Sequence, residues 1–504
     1  MNRRHKPLAV AKNSFGDGAT SGVVAHRHDH GVVRNGGERC KWAEHRNSEN
    51  RGAQEMRCIV RKSDRTGWRP AFVCAQQDVG NDRSLTSGTD NDERVCTDVL
   101  RFPHRLRYRN AVIPLSSPDI DAEDIHAVSE VLRGGYLASG PMAERFENEV
   151  AGRLGARHAV AVSSGTSALH LAVIAAGVTQ DDLVITTPYS FIASSNVILY
   201  ERAIPVFVDI DPHTLMIDPV KTIEAIQTIT HRSSGWRELL PRSARNVRGT
   251  LRAVLPVHLF GSTADIRDVV PTAHESGIAV IEDACEAIGA TLDGVSAGTI
   301  GDAGALGFYP NKQITTGEGG MLLTSHEKWA ERFRCLRNQG RSLGTTEPRY
   351  GSLGFNYRMD EMSAALGVSQ FRRMGELLRR RKAVADRYTE SLAQVPGVTP
   401  LPDPPAGHTR TWFVYAIRFS PEIDVNSVMH GLAGRGIMTR PYFWPIHLQP
   451  LYAERFGFVA GDFPAAEAAG RSMLALPMSP NLSDHDIQSV CAAVSEEVSA
   501  HAAA

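Results

Sequence analysis

The chain predicts an α/β fold with a mixed, mainly parallel sheet and a second, smaller C-terminal α/β domain. Three observations predict it. From Val160 to Thr324, short apolar runs alternate with stretches of helical periodicity, the pattern of strands joined by crossover helices. Several runs end in small, polar or acidic residues, and ligands sit at the carboxyl ends of strands in open α/β sheets. Beyond about Val395 the alternation restarts on a smaller scale. These marks divide the chain into residues 1–112, an extension, 113–365, a large domain, and 366–504, a small one.

The extension carries 21 Lys/Arg against 13 Asp/Glu and few sustained apolar patterns, so it cannot bury enough surface to offset its ordering entropy and is expected to be disordered. Its cluster His26-Arg27-His28-Asp29-His30 reads as a solvated loop, and no metal site is expected. Asp121 to Leu132 has helical spacing; the loop Gly134 to Pro141, with Tyr136, follows, and Phe146 to Leu154 is a second helix. In the large domain, strands are expected at Ala159–Val162, Leu183–Thr186, Pro205–Ile210, Ala253–His258, Ile278–Glu282, Ala305–Tyr309 and Met321–Thr324. Helices fall at Ser167–Ala176, from Phe191, and at Glu327–Arg337. Residues 231–249 are polar and basic and read as a solvated insertion; an alternative gives its arginines a diphosphate to hold. Asp360 to Gln394 reads as one long helix leading to the small domain, with a strand over Trp412–Phe419 and a helix over Asp424–Gly434.

Composition narrows the class. With 55 Lys/Arg against 56 Asp/Glu, nothing demands nucleic acid as a partner. No apolar run approaches the ~20 residues that span a bilayer, and no secretory signal opens the chain. The 7 cysteines are scattered without C-x-x-C spacing, which suggests neither disulfides nor zinc. A cytoplasmic enzyme is expected.

Chemistry concentrates in Gly307 to Gly320, where Lys312 lies between two apolar strands in a glycine turn. A lysine in such a turn is usually a surface residue. Where it is buried instead, its charged form is disfavoured, and the neutral amine can form a Schiff base with a carbonyl such as the aldehyde of pyridoxal phosphate. Upstream, the strand Val280-Ile281-Glu282 delivers Asp283, either a helix N-cap or the acid that a pyridine nitrogen requires. Further upstream, Ser163-Ser164-Gly165-Thr166-Ser167 joins a strand to a helix, a turn whose N–H groups suit a phosphate.

In this order, the runs SSGTSALHLA, TPYSFIASSN, IEDACEAIGA, FYPNKQITTGEGGM and GFNYRMDEMSAALG resemble the DegT/DnrJ/EryC1/StrS family of sugar aminotransferases, from about Ile113 onward. The resemblance implies an aspartate-aminotransferase-like fold (fold type I) that binds pyridoxal 5'-phosphate in the large domain. It implies catalytic roles for Lys312 and Asp283, and cofactor contacts from Gly165, Thr166, Phe191, Glu286 and Asn356, with Phe191 stacked on the pyridine. It further implies substrate contacts from Tyr136, Arg358 and His447. Asn356 would reach the partner subunit's cofactor in a homodimer with shared sites. Two positions depart from the family pattern: Gly307 stands where many members have a serine to the phosphate, and Glu286 where many have His or Gln. Because the resemblance starts near Ile113, the extension is either a dispensable tail or the product of translation from an upstream start.

The implied reaction moves an amino group from glutamate, or glutamine, to a keto-sugar, usually nucleotide-linked, in polysaccharide or aminosugar natural-product biosynthesis. The alternatives are a pyridoxal-phosphate sugar dehydratase, against which Lys312 and the scattered cysteines speak, and a non-catalytic cofactor-binding regulator.

Overall fold

A computed structural model describes residues 112–342 and 349–502. The expectation of disorder for the extension falls outside this range for all but Val112. Seven strands form the main sheet: β1 (His158–Val162), β2 (Leu183–Thr186), β3 (Ile204–Phe207), β4 (Leu251–Leu255), β5 (Ala279–Asp283), β8 (Ala303–Gly307) and β9 (Gly320–Thr324). A small hairpin, β6 (Thr291–Leu292) and β7 (Val295–Ser296), lies between β5 and β8. The order across the sheet is β1-β9-β8-β5-β4-β2-β3. Only β9 opposes the others, pairing antiparallel with β1 and β8 while the remaining pairs are parallel. This is the mainly parallel mixed sheet expected. Its strands are almost wholly buried and read as continuous apolar runs because both faces are covered.

The helices of this part are α1 (Ala122–Gly134), α2 (Pro141–Leu154), α3 (Gly165–Ala175), α4 (Ala193–Tyr200), α5 (Pro219–Thr230), α6 (Val269–Glu275) and α7 (Glu327–Leu336). Their ends follow local chemistry. Asp121 and Asp124 close a reciprocal capping box at the start of α1, and Gly135, at φ 76°, ends it in the left-handed conformation. Glu361, fully buried, accepts from the Met142 N–H at 2.6 Å and so supplies an anion at the N-terminus of α2, where Gly140 has no side chain to cap with.

The long helix expected over Asp360–Gln394 is two helices, α8 (Glu361–Arg372) and α9 (Met374–Leu392). The chain turns at Arg373, whose guanidinium is bound by Asp119 and Asp124 (2.6 Å to the latter) at the foot of α1. A tertiary ion-pair cluster thus sets the break.

The residues 231–249 also depart from expectation. They form two short 3-10 turns, Trp236–Leu239 and Arg242–Ala244, and Trp236, Leu240 and Ala244 are buried. Arg232 and Arg237 each lie over the Trp236 ring, at 4.6 and 4.5 Å, and Arg242 makes a bidentate pair with Asp462. The segment is a packed clasp rather than a solvated loop.

A four-stranded sheet closes the chain: β10 (Val398–Pro400), β11 (Tyr415–Phe419), β13 (Met473–Leu476) and β12 (Arg440–Pro441), in that order and antiparallel throughout. Helices α10 (Val425–Gly434), α11 (Pro450–Phe456), α12 (Pro464–Ser472) and α13 (Asp484–Ala502) accompany it. Its core draws Val384, Tyr388 and Leu392 from α9. Among the described residues, no helix is long and apolar enough to cross a membrane.

Arg381 on α9 ties this sheet to the main one. It is 1% exposed, and burial pulls its guanidinium down to about 10. It donates to the carbonyls of Trp412, Phe413 and Lys312 at 3.2, 3.1 and 3.0 Å. Truncation to alanine leaves three buried carbonyls without a donor, so Arg381→Ala is expected to lower stability by about 3 kcal/mol. A urea midpoint equal to that of the unaltered protein would refute the role.

Candidate active site

Asp283 ends β5 and is 6% exposed. Its Oδ2 accepts from Ser194 Oγ at 2.6 Å, and its Oδ1 from the Cys285 N–H at 3.1 Å. No lysine or arginine lies within ion-pair distance of it among the described residues, so a buried carboxylate is held by neutral donors alone. Such a carboxylate is suited to a cationic partner.

Lys312 sits in a turn closed by its own N–H to the Tyr309 carbonyl at 2.8 Å, just past β8. Its side chain is 14% exposed, which removes it from the class of surface lysines. The amine lies 4.1 Å from the centre of the Phe413 ring and 4.0 Å from Glu286 Oε1. Burial raises the Glu286 carboxyl to about 6, although Lys312 and a hydrogen bond from Tyr442 oppose the rise.

Ser164 caps α3 through the Ser167 N–H at 3.0 Å, leaving Gly165 and Thr166 in the first turn of the helix. The backbone is close-packed here. A Cβ on Gly165 would come 2.7 Å from Cys285 Sγ, and one on Gly320 would meet the Ser164 carbonyl at 2.3 Å. A Cβ at Gly307 would lie 3.4 Å from both Cβ and Sγ of Cys285. That is an ordinary contact distance, so the space beside Cys285 admits a small side chain at this position. Burial and then Asp283 push that thiol up, which makes it a packing group and not a nucleophile.

Phe191 precedes α4 rather than opening it, and its ring is 60% exposed although apolar. Asn356 is exposed on a segment tied to the phosphate turn by the Ser163 N–H to the Tyr357 carbonyl at 2.9 Å. Arg358 donates to the amide oxygens of Asn338 and Gln339 at 2.8 and 2.7 Å, and among the described residues no carboxylate pairs with it. Tyr136, 74% exposed, lines a cleft of about 420 Å³ between α1, α2 and α8 whose lining includes neither Lys312 nor Asp283.

His447 is placed otherwise than expected. It is fully buried, its Nε2 lies 3.1 Å from Glu467 Oε1, and Phe463 packs edge-on at 4.8 Å. In this chain it packs as a buried histidine against Glu467 and Phe463. The arrangement also adds residues that the sequence reading passed over. Ser194 lay inside the quoted run TPYSFIASSN; Phe413, Tyr442 and Arg381 carried no local signal.

These groups fit pyridoxal phosphate. The lone buried Asp283 suits a protonated ring nitrogen, the exposed Phe191 an aromatic face, the first turn of α3 a phosphate, and Lys312 an aldehyde. Fold and site together define a fold type I enzyme dependent on pyridoxal phosphate. Residues 118–495 match the model of the DegT/DnrJ/EryC1/StrS aminotransferase family, and the chain belongs to that family. It is similar to the spore coat polysaccharide biosynthesis protein SpsC of Bacillus subtilis (strain 168), 36% identical over 408 residues, which cover 78% of this chain and 99% of SpsC. The GDP-perosamine synthase of Caulobacter vibrioides is 35% identical, covering 76% of this chain and 98% of its own. Among solved structures, the aminotransferase TlmJ from Streptoalloteichus hindustanus superposes with a TM-score of 0.67 at 30% identity, over 77% of this chain and 99% of TlmJ. The PLP-form of the putative sugar aminotransferase Spr1654 from Streptococcus pneumoniae does so with 0.69 at 25%, over 78% and 100%. The chain is a pyridoxal-phosphate-dependent aminotransferase.

Proposed function

We propose that the enzyme transfers an amino group from glutamate, with glutamine as the second donor, to the keto group of a nucleotide-linked sugar. The observation that carries the reading is the mostly buried Lys312 facing a buried carboxylate, together with an Asp283 that has no lysine or arginine at ion-pair distance among the described residues. Relatives named for GDP-perosamine synthesis and spore coat polysaccharide support the sugar and its nucleotide.

Pyridoxal phosphate, when bound, supplies an electron sink and carries nitrogen between the two substrates. Lys312 anchors it through Nζ. With the cofactor bound, Nζ would be placed to take the α-proton of the amino donor and to return a proton on the acceptor side. Asp283 keeps the ring nitrogen protonated, and Ser194 and the Cys285 N–H hold the carboxylate in place for it. Gly165 and Thr166 would offer backbone N–H groups to the phosphate, and Phe191 would shield the cofactor ring from water. The guanidinium of Arg358 suits the donor's carboxylate, and the exposed Tyr136 the sugar.

A homodimer completes the site in this reading. Leu353 and Tyr350, 88% and 65% exposed, flank the segment that carries Asn356, and such apolar exposure is suited to a partner subunit. Asn356 then bonds the cofactor phosphate across the interface. Asn356→Ala is expected to weaken cofactor affinity about tenfold, the worth of one hydrogen bond to a charged group. Cofactor titration by fluorescence checks this, and an unchanged affinity would count against the shared site.

The reading as a whole is tested by an absorbance spectrum of the protein with pyridoxal phosphate, before and after glutamate. The expected result is a near-visible band that glutamate bleaches while 2-oxoglutarate is released in equal amount. A band that neither glutamate nor glutamine moves would refute the donor assignment.

A further inference from the structure

Glu286 occupies a position that the fold defends from several sides. It is 6% exposed, on the turn after β5 that also carries Asp283 and Cys285. Its Oε1 faces Lys312 Nζ at 4.0 Å, and its Oε2 accepts from the Tyr442 hydroxyl at 2.5 Å. The Phe260 backbone, in a left-handed turn at φ 58°, also favours the ionised carboxyl.

Tyr442 comes from elsewhere in the fold. It follows β12 of the four-stranded sheet, is 8% exposed, and packs its ring against Phe260, centroids 5.4 Å apart. Two bonds clamp its segment to the loop after β2: the Tyr189 hydroxyl donates to the Tyr442 carbonyl, and the Ile446 N–H to the Pro188 carbonyl at 2.7 Å. The phenol is therefore delivered to Glu286 in a fixed position.

We infer that Tyr442 is a positioning residue: its hydroxyl holds the Glu286 carboxyl against Lys312 and decides at what acidity that carboxyl gives up its proton. The inference rests on the reading that Lys312 and Asp283 carry the reaction. The titratable groups that face Glu286 are Asp283 and Cys285 from its own turn, Lys312 from the turn after β8, Tyr442 from the small sheet, and Tyr189 from the loop after β2. Of these only Lys312 is a cation.

Burial alone favours the protonated carboxyl, and the Tyr442 donor and Lys312 favour the ionised one, so proton loss is brought to about 6. Tyr442 is thus one of the few groups on the ionising side. When Lys312 is engaged with the cofactor, its attraction for Glu286 changes, and the phenol is the donor that stays. A carboxyl that titrates this close to neutrality beside the reacting amine gives the site an acid limb set by the small sheet.

The test uses the cofactor-loaded protein. Its near-visible absorbance is recorded from about pH 5 to about pH 9 for the unaltered protein, Tyr442→Phe and Glu286→Gln. Each is then reduced with borohydride and the modified peptide identified by mass. Besides any titration of the cofactor itself, the unaltered protein is expected to show an inflection that belongs to Glu286, whose carboxyl burial holds above its ordinary value. Tyr442→Phe, which keeps the ring and removes only the donor, is expected to move it up by about one pH unit, and Glu286→Gln to abolish it. Trapping on Lys312 in all three, with the inflection unmoved in Tyr442→Phe or still present in Glu286→Gln, would overturn this inference and leave the function standing. Absence of trapping on Lys312 in the unaltered protein would overturn both. Glu286→Gln decides the matter alone should Tyr442→Phe fail to fold.

Discussion

Lys312→Ala is expected to lower amino transfer by at least about four orders of magnitude, because one substitution removes both the covalent anchor and the proton carrier. No neighbour can take over. Glu286 lies 4.0 Å from the amine but cannot form the bond to an aldehyde, and Phe413 offers only a ring face. Arg381 binds the Lys312 carbonyl, which alanine retains, so the turn should keep its shape. The variant should therefore fold and still bind pyridoxal phosphate without a covalent link. Keto-acid release and borohydride trapping measure the two losses separately. Turnover that survives in this variant would falsify the mechanism.

Asp283→Asn should rank second, with kcat/KM lowered about a hundredfold to ten-thousandfold. Asparagine has nearly the same shape and can keep its one oxygen on the Cys285 N–H, while its NH2 group meets the Ser194 hydroxyl, which can turn to accept. What it loses is the negative charge that keeps the ring nitrogen protonated. The effect should fall on kcat more than on cofactor affinity, since phosphate and aldehyde contacts remain. A variant within about threefold of the unaltered rate would remove Asp283 from the chemistry.

Both residues were legible in the sequence for the same reason. Asp283 is the last residue of one short apolar strand and Lys312 lies in the turn just past another, and the main sheet sets these parallel strands side by side. The phosphate turn was legible likewise, because Ser164, Gly165 and Ser167 form a local cap that needs no distant partner. The failures have a common physical cause in long-range contact. Arg373 breaks a helix because Asp119 and Asp124, on the far side of the chain in sequence, hold its guanidinium. Trp236 turns a basic stretch into a packed one by taking Arg232 and Arg237 against its ring. His447 looks like a site histidine until Glu467 and Phe463 enclose it. Tyr442 gave no signal at all, since its partner Glu286 belongs to a different sheet.

The strand order has a consequence for how the protein is made. β1 has β9 as its one neighbour in the sheet, so the strand that leads into the phosphate turn has nothing to pair with until Thr324 has been synthesised. Gly165 is packed on Cys285 and Gly307, and Gly320 on Ser164, so the cradle closes only when all of these are present. A chain emerging from the ribosome cannot assemble the phosphate half of its site and then wait for the lysine half. Both arrive in one late, non-local step, the slowest kind of contact for a growing chain to make. Capture of the cofactor therefore reports that the sheet has closed.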